Sequence, residues 1–125
     1  MLRVAIRLAA VVPILAGGMG ALLGASFLGG DASVAIDSHL RYLSGLLLGL
    51  GLLALWCAAD LPRRGGAFTI LCGVVALGGT ARLLGLMLAG LPPWPHLLAL
   101  AMELGVTPAL WLWWRATLGK GAAIQ

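Results

Sequence analysis

The side chains with chemistry to offer inside or at the edge of apolar runs are Asp37, His39, Arg41, Tyr42, Arg82, His96 and Glu103. Arg82 and Glu103 flank the turn Gly90-Leu91-Pro92-Pro93-Trp94-Pro95-His96, each embedded in an apolar segment. Arg82 lies about eight residues before the turn and Glu103 about seven after it, so at ~1.5 Å rise per residue both lie ~10–12 Å from it. Equal depth on antiparallel neighbours predicts an ion pair. A charge inside an apolar span is costly, so such a pair either fixes helix register or belongs to a binding site.

A guanidinium is a planar fork of donors suited to an anion or polar head group. In the binding reading Arg82 and Arg41 hold that group, Glu103 is counter-charge or proton acceptor, and Asp37 supplies the charge balance. Imidazole titrates near neutrality, which makes His39 and His96 candidate proton carriers. The plainer reading makes them polar residues of the membrane border, hydrogen-bonded to loops. His39, His96, Asp37 and Glu103 have no metal-ligand spacing, and no metal is expected. No P-loop, HExxH, GxSxG or dinucleotide glycine fingerprint is present, so no cofactor is expected and the reading leans away from an enzyme.

These residues need a scaffold, and composition says which kind. Of 125 residues 62% are hydrophobic and 10% charged, with a mean hydropathy of +1.07. That is the balance of a membrane protein. The formal charge is +4, but no basic run is interleaved with aromatics, so nucleic acid is not an expected partner. Apolar stretches at about 4–28, 39–60, 67–89 and 95–118 predict an all-α, integral membrane four-helix transmembrane bundle, a single domain over residues 1–125.

Along the chain, the first stretch contains Arg7 and Pro13, and its apolar run exceeds the 7–15 residues of a secretory signal, which favours its retention. Gly17, Ala21, Gly20 and Gly24 form small-residue spacings that permit close helix approach. Gly29-Gly30-Asp31 reads as a loop, with a helix cap at Asp37 or Ser38. Asp37 and Arg41 are spaced to pair on one helix face. Arg41, Gly45 and Gly49 continue that face, which is expected to meet another helix. Pro62 is expected to end the second helix, with Arg63, Arg64, Gly65 and Gly66 in a tight turn. His96, Ala99 or Leu100, Glu103, Thr107 and Leu110 share a face of the fourth helix. Trp111, Trp113, Trp114 and Arg115 read as an aromatic belt with a basic anchor. Cys57 and Cys72 read as buried small hydrophobes.

Arg3, Arg7, Arg63, Arg64, Arg115 and Lys120 fall on one side of this layout, and Asp31, Asp37 and His96 on the other. The positive-inside rule then places both termini in the cytoplasm. The chemistry-bearing side chains fall in the outer half of the bilayer, where they are expected to line one outward-facing polar pocket.

The pattern Asp37-x-His39-x-Arg41-Tyr42-x-x-Gly45, then Gly79-x-x-Arg82, Gly90-x-Pro92, and Glu103 with Pro108 and Trp111 or Trp113, resembles the small bacterial membrane family called domain of unknown function 4345. The resemblance covers most of the chain and implies a four-helix membrane fold; it implies no activity. The expectation is a non-enzymatic binding or accessory protein of the bacterial inner membrane, multi-pass and in contact with membrane lipid. Its pocket would hold a small anion, a lipid head group or a partner membrane protein. Two alternatives are a small-molecule or proton-coupled transporter or channel, and a quinone-linked membrane redox subunit. Glycine-bearing faces also permit a homo-oligomer, whose size the sequence does not give.

Overall fold

A computed structural model of the chain describes residues 1–28 and 32–118. Asp31 and Lys120, two of the charges used to orient the chain, lie outside the described residues. Among the described residues there are helices and no strand, and four helices are long and apolar enough to cross a membrane. Many of their large apolar side chains, Leu8, Leu15, Ile70, Leu77 and Leu88 among them, are exposed. This is the all-α membrane class expected from the apolar runs. The chain divides into two compact units, Arg3–Ala59 and the part from Asp60 onward with Met1–Leu2.

In the first unit, α1 spans Leu2–Leu23 and tightens into a 3₁₀ turn over Gly24–Leu28. Pro13 lies inside α1 without ending it. α2 spans Val34–Ala59, so it begins five residues before the expected His39. Ser33, not Asp37 or Ser38, takes the starting position: its Oγ lies 3.4 Å from the Ile36 nitrogen and its carbonyl accepts the Asp37 N–H at 2.9 Å. Asp37 is thereby released from capping α2 and serves another contact, described below.

At Gly17 the two helices approach backbone to backbone. A Cβ there would sit 2.5 Å from the Leu48 nitrogen and 2.7 Å from the Ser44 carbonyl oxygen, both fixed backbone atoms. The row of α2 that meets α1 is thus Ser44, Leu48 and Gly51. A methyl added at Gly45 or Gly49 would meet nothing within 4 Å, so the face expected to meet a helix is one step out of phase. The approach is set by where α1 lacks side chains, which the spacing within α2 alone does not encode.

In the second unit, α3 spans Leu61–Ala89 and kinks at Arg64 (φ −104°, ψ 15°). It starts six residues before the expected position. Pro62 opens α3 because a proline in the first turn forfeits only an N–H that has no helical partner anyway. α3 ends at Gly90, whose φ of 92° is a conformation that L side chains rarely adopt. The fourth span, Trp94–Thr117, comprises α4 (Trp94–Ala101), a wider π turn over Met102–Val106, and α5 (Thr107–Thr117).

α3 and the fourth span run antiparallel, matched along their length by Gly65 with Trp114, Thr69 with Trp111, and Gly79 with Glu103. The Trp114 indole lies in the space left by Gly65 and meets Phe68 edge-on at 6.3 Å and 74°. Trp111 Nε1 donates to Thr69 Oγ1 at 3.2 Å. Of the tryptophans expected to form a border belt, Trp114 is therefore buried packing, and Trp113 is exposed. The turn of wider pitch rotates the helix beyond it, which carries Trp111 and Trp114 onto α3. Cys57 and Cys72 are both buried, as small apolar side chains would be.

Candidate functional site

The chemistry of the second unit begins with a helix defect. Pro108 has no N–H, and its ring conflicts with the carbonyl four residues earlier, that of Leu104. The backbone widens there: the Thr107 N–H reaches back five residues to the Met102 carbonyl, and Thr107 Oγ1 donates to the same oxygen at 3.0 Å. Such turns often occur at functional sites because they re-aim a side chain without interrupting the helix. Glu103 lies within this one.

Opposite it, Gly79 lets the helices close. A Cβ at Gly79 would sit 2.8 Å from Glu103 Cβ and 2.9 Å from the Leu104 side chain. Arg82, one turn further along α3, meets Glu103 with two parallel bonds: Nε donates to Oε2 at 2.9 Å and Nη2 to Oε1 at 3.1 Å. This fork-to-carboxylate geometry is the strongest form of the ion pair. The two side chains are 33% and 17% exposed, so the pair is neither fully solvated nor sealed.

His96, at the start of the fourth span, completes the group, with Nδ1 at 3.1 Å from Arg82 Nη1. A guanidinium has no acceptor, so Nδ1 accepts; the imidazole is neutral and carries its proton on Nε2. Five N–H bonds radiate from Arg82, and these contacts use three of them. Among the described residues, what remains available is a set of donors: one hydrogen on each Nη of Arg82, and His96 Nε2–H.

In the first unit Asp37 and Arg41 form a different arrangement. Arg41 Nε donates to Asp37 Oδ2 at 2.8 Å, and Nη1 donates to the carbonyls of Ala21 at 3.0 Å and Leu22 at 2.7 Å. Asp37 Oδ1 accepts the Ala25 N–H at 2.7 Å. The pair satisfies backbone groups that the end of α1 leaves without helical partners. Gly24, with φ of 60°, sits against both side chains at the point where the chain leaves α1. His39 and Tyr42 lie on the exposed side of α2, with ring centroids 6.5 Å apart.

The sequence-derived residues thus fall into two sets: Arg82, His96 and Glu103 in one unit, and Asp37, Arg41, His39 and Tyr42 in the other. Arg41 and Arg82 each have their own carboxylate. Among the described residues no three of His, Cys, Asp and Glu gather as metal ligands would. A shallow apolar groove of about 260 Å³, lined by Thr69, Cys72, Gly73, Ala76, Pro108 and Trp111, runs along the second unit. Sequence reasoning passed over Pro108 as a determinant of the site, although a proline five residues after an embedded glutamate was signal enough.

The family described as "Domain of unknown function (DUF4345)" matches residues 1–114, and the chain belongs to that family. No curated protein matches the chain, and no solved structure matches it.

Proposed function

From membership of a family defined without an activity, we propose that the chain is a multi-pass binding or accessory protein of the bacterial inner membrane, holding the polar head of an amphiphilic molecule at Arg82, His96 and Glu103. The observation that carries this reading is the half-open state of the triad: a bidentate ion pair whose remaining donors are not consumed among the described residues. His96 adds a third bond to a guanidinium already matched to its carboxylate and brings a donor of its own, Nε2–H. Embedding charge between apolar helices marks a functional site by default. The exposed apolar flanks of α3 and the fourth span suit the tail of such a ligand, and the groove beside Trp111 gives it a place to lie.

Native mass spectrometry of the full-length protein released from nanodiscs tests this, comparing wild type with Arg82→Ala. A discrete added mass that the variant loses is the expected result. Bare protein in both, with the variant merely less stable, would reduce the triad to a register-fixing bridge.

A further inference from the structure

Resting on that reading of the triad, we propose that the group it takes is an uncharged hydrogen-bond acceptor, the carbonyl oxygen of a membrane-soluble molecule. Charge argues for this first. Glu103 meets Arg82 at 2.9 and 3.1 Å, and His96 is held neutral by accepting from Nη1 at 3.1 Å, so the triad is formally neutral. An anion brought to Arg82 would face the Glu103 carboxylate across the same guanidinium. It would lose its hydration without a net positive charge to replace it. A carbonyl carries no such cost.

The direction of the remaining hydrogens argues for it second. Arg82 keeps one hydrogen on each Nη, and His96, with its proton on Nε2, keeps a third donor. Each of these is a hydrogen seeking an acceptor. A neutral oxygen with two lone pairs can take two of them at once, and bonds from a charged donor to such an oxygen are strong in a low-dielectric setting. Ester carbonyls of acylglycerols and ring carbonyls of alkylated quinones both have this chemistry.

The test uses the full-length protein in nanodiscs of dialkyl-ether phosphatidylcholine, which has no carbonyl of its own. Three probes are added separately: dioleoylglycerol, decyl-benzoquinone and dodecyl phosphate. Retention is read by native mass spectrometry, and bound carbonyls by a lowered infrared C=O stretch in ¹³C-labelled probe. A carbonyl probe is expected to be retained, with dodecyl phosphate failing to displace it, and which one is retained identifies the source. In His96→Asn the amide oxygen still accepts from Arg82, but the Nδ2–H₂ donor of the shorter side chain falls short of the position of Nε2, so affinity should fall about tenfold, the loss expected for one hydrogen bond. Arg82-dependent binding of dodecyl phosphate in preference to both carbonyl probes would overturn the ligand class while leaving the site. Unchanged affinity in His96→Asn would also overturn it. Retention of none of the three would remove the site reading as well.

Discussion

Arg82 and Glu103 act on each other first, and the energetics of that contact can be isolated. Arg82→Ala leaves a carboxylate that is only 17% exposed without its partner, and Glu103→Ala leaves the converse. The double variant removes both problems, so it should be less destabilised than the two singles summed. We expect a coupling of about 1–3 kcal/mol in reversible unfolding from mixed micelles; additive effects would mean that the pair contributes no mutual stabilisation. Glu103→Gln keeps the shape but frees the positive charge, and dodecyl phosphate should then bind where the wild type rejects it. The pair was legible in the sequence because both residues stand at similar separations from one turn. His96 as the third member was half legible, since it lies at that turn, but its tautomer follows only from the atom it faces. Arg41 was read as a ligand-binding group because a guanidinium near a membrane border looks available. The carbonyls of Ala21 and Leu22 that engage it are unmarked in a sequence.

Between helices, the informative positions are those where backbone meets backbone or where the helix is not regular. Gly17→Ala would press a methyl on the Leu48 and Ser44 main chain and should destabilise the α1–α2 pair by about 1–3 kcal/mol. Gly45→Ala has open space and should be neutral or stabilising by up to ~1 kcal/mol, through helix propensity. Unfolding of the two variants side by side checks the assignment; equal effects would contradict it. Pro108→Ala restores an N–H and relieves the clash with the Leu104 carbonyl, allowing the turn to tighten. Glu103 should then swing out of phase with Arg82, and the coupling measured by the double-mutant cycle should fall toward zero even if the variant is no less stable. The number of helices was readable from apolar runs, because each must cover a membrane thickness. Their starts were misread where Pro62 was taken as a stop and Asp37 or Ser38 as a cap. A proline at a first helical turn and one at a helix end look alike until the neighbouring bonds are known.

For the molecule as a whole, four helices among the described residues are long and apolar enough to cross a membrane, and an even number of crossings is expected to bring both ends to one side. Arg3, Arg7, Arg63, Arg64 and Arg115 stand near the ends of the apolar runs that such crossings would put on that side, which is therefore expected to be the cytoplasm. Fusions at either end should give a fluorescent cytoplasmic reporter and an inactive periplasmic phosphatase; an active phosphatase at either end would reverse the topology. The Arg82–Glu103 pair also imposes a timetable on synthesis. Arg82 emerges from the ribosome 21 residues ahead of Glu103. At roughly 5–20 residues per second, about 1–4 s pass before its carboxylate exists. During that interval the third helix carries an unpaired arginine seven residues from its end, where insertion costs less than the roughly 2.5–3.5 kcal/mol of a span's centre but is still unfavourable. The helix therefore has reason to wait beside the insertion machinery until its neighbour arrives, and the two should enter the bilayer as a pair.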